Sequence, residues 1–67
     1  MDNSTKIRLI RMLDREFDKT IESIFNKQKL MERTRDSRAI AQYASAAAEL
    51  EDYANTLFIM AQKILGA

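Results

Sequence analysis

The sequence predicts an all-α chain folded as an antiparallel two-helix hairpin, which associates into a four-helix bundle or docks on a helical partner. Three observations carry this expectation. The chain has no proline and one glycine, Gly66, so no residue forces a break along its length. Two stripes of apolar residues recur at helical spacing. Between them lies "ERTRDSR", Glu32 to Arg38, which holds no large apolar residue and interrupts the pattern.

The first helix is expected over about residues 5–33. Asn3, Ser4 or Thr5 supplies its cap, because a short side-chain oxygen satisfies free backbone N–H groups. Its stripe is Phe17, Ile21, Ile24 and Met31, at spacings of four, three and seven, and Ile10 and Leu13 extend it toward the N-terminus. A turn is expected over about 34–37, with Asp36 or Ser37 as the next N-cap. The second helix then runs over about 37–65. Its stripe is more regular: Ile40, Tyr43, Ala47, Leu50, Ala54, Leu57, Ala61 and Ile64 alternate by three and four without a miss.

A continuous helix acting as a coiled-coil adaptor is the rival architecture, and the registers oppose it. Extending the first stripe places seam positions at Arg35, Arg38 and Gln42, whereas the second stripe begins at Ile40 and Tyr43. One straight seam cannot serve both. Two helices of roughly 28 residues, each ~42 Å long, joined by a short connection, become antiparallel neighbours.

The second stripe also predicts how closely the helices approach. After Ile40, every other seam position is alanine (Ala47, Ala54, Ala61), and the positions between are Leu50, Leu57 and Ile64. Small residues recurring every seven let a facing backbone come near, toward the short end of the usual ~8–10 Å interaxial range. The run "LFIM", Leu57 to Met60, is different. Four consecutive large apolar residues point four ways around a helix, and one neighbour covers only part of that circumference. Leu9, Met12 and Phe25 likewise lie off the first seam. In an antiparallel hairpin the start of one helix meets the end of the other. Leu9, Met12, Phe58, Ile59, Met60 and Leu65 are therefore expected at the open end as a partner-binding surface.

Composition excludes several function classes. There is no cysteine, hence no disulfide or thiolate metal site, and no histidine for zinc or iron. A chain of 67 residues has a marginal core and needs some other staple, which leaves association with another chain. Ser23, Ser37 and Ser45 have no base to activate them, and Glu49 and Asp52 read as a solvated helix face. No enzyme, catalytic residue, cofactor or small-molecule substrate is expected. The opening "MDNSTKIRLIRML" lacks the apolar core of a secretory signal, and no run reaches the ~18–20 apolar residues of a membrane span. Absence of cysteine fits a cytoplasmic protein.

The net charge of +1 is too small to imply a nucleic-acid partner, but its distribution is uneven. Residues 1–38 hold ten Lys/Arg against seven Asp/Glu, and residues 39–67 hold one lysine against three acids. On the first helix Arg11, Arg15 and Lys19 run beside Asp14, Asp18 and Glu22, so that face is balanced. Around the turn, Lys27, Lys29, Arg33, Arg35 and Arg38 outnumber Glu32 and Asp36. This excess could contact phosphates or an acidic partner, although no aromatic residue lies among them to stack on bases.

Two family resemblances rest on the second helix. In "LEDYANTLFIMAQKILG", Leu50, Asp52, Ala54, Leu57 and Gly66 resemble the second helix of Rop-type plasmid copy-number proteins. That resemblance implies a dimer of hairpins binding RNA through its first helices. Lys19 and Lys27 suit such a role, but Met12, Ser23 and Thr34 stand where that family places other RNA-contacting residues, including an aromatic one. In "QYASAAAELEDYANTLFIM", Gln42, Tyr43, Glu49, Leu57 and Ile59 are similar to small type III secretion co-chaperones, which help keep the needle subunit soluble beside a helical-repeat partner. The glycine that family tends to carry at its turn is missing. Taken together, the residues imply a non-enzymatic protein–protein interaction module: an assembly factor, co-chaperone or regulator. Its partner is itself or another helical protein, and a Rop-like dimeric RNA-binding regulator is the alternative.

Overall fold

A computed structural model describes residues Met1–Ala67. Helix α1 spans Asn3–Arg33 and helix α2 spans Ser37–Leu65, and the two pack against each other as a hairpin. The hairpin is a slender rod, 51 × 14 × 10 Å.

Local chemistry sets each helix end. The first N-cap is Asp2 rather than Asn3, Ser4 or Thr5: its backbone is extended, and Oδ1 accepts the Thr5 amide at 2.7 Å. A carboxylate is the stronger partner for a free N–H at a positive helix end, so α1 begins two residues earlier than the hydroxyl caps imply. The Thr5 amide, the largest influence, also holds the Asp2 carboxyl below its usual range. At the other end Thr34 is extended and donates its N–H to the Met31 carbonyl. Asp36 then caps α2, with Oδ1 accepting the Arg38 amide at 3.0 Å. Two extended residues flanking Arg35 suffice to reverse the chain without glycine, and no residue has a positive φ.

Of 57 backbone hydrogen bonds, 52 lie within helices and the other five serve the caps and helix ends, so none joins α1 to α2. Side-chain packing must hold the hairpin together. On α2 every member of the stripe from Ile40 to Ile64 is buried or half-buried, with Ala47, Ala54 and Leu57 the most enclosed. On α1 a series of covered positions runs through Lys6, Ile10, Leu13, Phe17, Thr20, Ile24, Lys27 and Met31 to the cap residue Thr34, with Leu9, Ile21 and Ser23 half-buried beside it. The series alternates by four and three, a seam as strict as that on α2. Thr20, rather than its neighbour Ile21, takes the most enclosed place, and Ile21 is half-buried beside it. The Thr20 hydroxyl tolerates burial because it donates to the Glu16 carbonyl of its own helix at 2.8 Å.

Candidate interaction surfaces

Only five residues are buried, four of them apolar, whereas ten large apolar or aromatic residues remain 38–66% exposed. Their placement follows from helix geometry. Residues seven apart share a helix face, so each helix carries two flanks beside its seam and an outer back.

Phe58 marks one flank. It borders a shallow notch with Leu13, Asp14, Phe17, Leu57 and Ala61. Seven residues on, Leu65 borders a second notch with Lys6, Ile7, Ile10 and Arg11. Exposed Ile7 and Phe25 and half-buried Ile21 belong to the same side of α1, and exposed Ala44 and Ala48 to the same side of α2. Tyr53 marks the opposite flank, where its hydroxyl donates to Glu16 Oε1 at 3.3 Å. This is the one side-chain hydrogen bond between the helices. Desolvation first, then repulsion from the Glu16 carboxylate and the hydrogen bond itself, push the phenol's pKa above its usual value. Leu9 and Met60 lie seven residues from Glu16 and Tyr53 on that flank, and Met12 lies one turn from Glu16.

The six residues expected as a partner surface therefore share the open end but divide around it. Phe58 and Leu65 face one flank; Leu9, Met12 and Met60 face the other. Ile59, two residues from both Leu57 and Ala61, points to the back of α2. All are exposed except Leu9, which is half-buried. Leu57 to Ala61 carries apolar side chains to the seam, both flanks and the back of α2, while Asn55, Thr56, Gln62 and Lys63 occupy the arcs between the back and each flank. Ile7 joins this end although its sequence neighbours are polar; its position seven before Asp14 and fourteen before Ile21 is the signal that places it.

The basic turn divides as well. Lys29, Arg33, Arg35 and Arg38 are exposed, but Lys27 is a half-buried seam residue beside Ser23, Ala46, Glu49 and Leu50. A lysine suits such a place because its long apolar stem can cover apolar surface while its charge stays in water. A second basic group, Arg8, Arg11 and Arg15, lines a shallow groove with Ser4 and Ile7 on the outer side of α1. No cluster of three or more acidic side chains is placed to hold a metal ion. Neither helix is long and apolar enough to cross a membrane.

No protein-family model matches the chain, and no curated protein or solved structure matches it at a significant level. Its functional reading rests on its own surfaces.

Proposed function

We propose that this hairpin is a non-enzymatic protein-interaction module, an assembly factor, co-chaperone or regulator that buries its apolar flanks against another helical chain. The observation that carries the reading is an excess of surface. A compact monomer of 7.8 kDa is expected to expose about 4,400 Å², whereas this chain exposes 5363 Å². The surplus of roughly 1,000 Å² is comparable to the ~800 Å² that each partner buries in a standard interface. Much of that surface is aliphatic and aromatic, at positions where a soluble helix normally carries charge.

The test uses the double variant Phe58→Glu with Ile59→Glu. Both side chains are exposed, so helicity by circular dichroism is expected to persist while association is lost. A chain that sediments as a monomer and retains nothing from a lysate of its native host, before any substitution, removes the reading.

A further inference from the structure

Resting on the interaction reading above, we infer that the covering chain is a second copy of this one, laid antiparallel on the Phe58 flank so that α2 packs on α2. On that flank the exposed stripe of α2 runs from Ala41, Ala44 and Ala48 through Glu51 and Asn55 to Phe58, Gln62 and Leu65. The stripe is graded in size: alanines fill the half near the turn, and large side chains fill the half at the open end. A two-fold interface sets the same patch against itself. If the two copies run in the same direction with α2 on α2, large residues meet large ones at the open end and alanines face alanines at the turn. Such a pair is overfilled at one end and hollow at the other, and close packing tolerates neither. Reversing one copy sets Phe58 and Leu65 against small residues, and only Glu51, at the midpoint, meets its own counterpart.

The register follows from the length of the helix. Glu51 is the midpoint of α2, Ser37–Leu65. Full overlap of two antiparallel copies sets residues seven beyond the midpoint opposite those seven before it. Phe58 then rests on Ala44 of the second copy, with Ala41 and Ala48 within a turn on either side, and the two-fold repeats the contact. The Glu16–Tyr53 pair sets the level of α1 against α2, which brings Phe25 alongside Ala44. Each incoming Phe58 thus meets a surface of small alanine side chains beside an exposed phenylalanine. Aromatic anchors of this kind dominate binding energy at interfaces.

Area and topography favour the same occupant. A face 51 Å long and 14 Å wide covers roughly 700 Å², near the ~800 Å² per partner of a stable interface, and a copy of equal length covers all of it. Two apolar notches open on this flank, lined by Phe58 and by Leu65. The groove on the Tyr53 flank is lined chiefly by polar residues, among them Ser23, Lys27 and Glu49.

The chain lacks cysteine, so single cysteines at exposed positions report which faces meet without disturbing the fold. Light scattering of the unmodified chain at micromolar concentration is expected to return twice its 7.8 kDa mass. Glu51→Cys, beside the two-fold, is expected to oxidise to a covalent dimer. Gln62→Cys lies level with Ile40 of the second copy, so its own counterpart is roughly 33 Å along the bundle, and it is expected to stay reduced. Glu49→Cys, on the other flank, is expected to do the same. A monomeric mass, or oxidation at Gln62→Cys or Glu49→Cys ahead of Glu51→Cys, overturns the inference. The broader reading is judged apart from it. A monomer that captures a different chain and loses it on Phe58→Glu rejects the homodimer and keeps the module.

Discussion

Replacing Ala54 with leucine tests the close seam directly. Ala54 is 6% exposed and lies between Leu50 and Leu57 on the covered stripe of α2. The Glu16–Tyr53 bond immediately beside it puts Phe17, the bulkiest seam residue of α1, at the same level. An isobutyl group there has no open surface to turn into, so the helices must separate or the side chains must leave their preferred rotamers. Overfilling of this kind costs about 1–3 kcal/mol. For a domain of this size each kcal/mol corresponds to ~4–8 °C, so the melting midpoint is expected to fall by roughly 5–20 °C. Thermal unfolding followed by circular dichroism at 222 nm measures it, with Thr56→Leu as the control. Thr56 is exposed two residues away, and leucine is the better helix former, so that variant is expected to hold or raise the midpoint. If Ala54→Leu melts no lower than Thr56→Leu, the helices do not meet closely at alanine and the argument from the seam is wrong.

Thr20→Val is expected to leave the midpoint unchanged or raise it by a few degrees. The hydroxyl bonds only its own helix's Glu16 carbonyl, which keeps its helical N–H partner, and a buried methyl contributes up to ~0.8 kcal/mol; a marked loss of stability would reveal a hydroxyl partner across the seam. At the N-terminus, the Asp2 carboxyl titrates below the ordinary carboxyl range in the folded chain because it accepts the Thr5 amide. Its stabilising effect is therefore full above the ordinary carboxyl range and is lost as pH falls through the lower folded value. The protection of the Thr5 amide, its exchange measured against the intrinsic rate at the same pH, should fall over that acid range in the unmodified chain and be low at every pH in Asp2→Ala; equal protection in both would show that the cap does not hold the first turn.

Much of the hairpin was legible because its signals are local or periodic. The seam of α2 could be read outright, since alanine, leucine and isoleucine occupy all its later positions. The seam of α1 was only half legible. Thr20 and Lys27 sit on it, and their side chains do not announce burial. What identifies them is the strict alternation from Ile10, Leu13 and Phe17, which continues to Thr20, Ile24 and Lys27. The polar residues are tolerated because one hydroxyl bonds its own backbone and because half-buried Lys27 has a long apolar stem suited to such a contact. Similarly, Asn3, Ser4 and Thr5 lie nearer the expected start than Asp2, and capping preference does not separate aspartate from asparagine or serine; the negative charge at the positive helix end favours Asp2.

The sequence by itself determined that this chain is helical, where it turns, and which stripe of α2 faces inward. Those properties follow from backbone propensity and from a period that any helix imposes on its side chains. Only the tertiary structure decided how the apolar surplus is shared out. The sequence brings Phe58, Ile59, Met60 and Leu65 together in one short run, yet packing against α1 turns Phe58 and Leu65 to one flank, Met60 to the other and Ile59 outward. The reason is that a helix spreads consecutive residues around its axis, and a neighbour covers only one arc. Until α1 is in place, nothing decides which of its residues line those arcs: Leu13, Asp14 and Phe17 come beside Phe58, and Glu16 comes beside Tyr53.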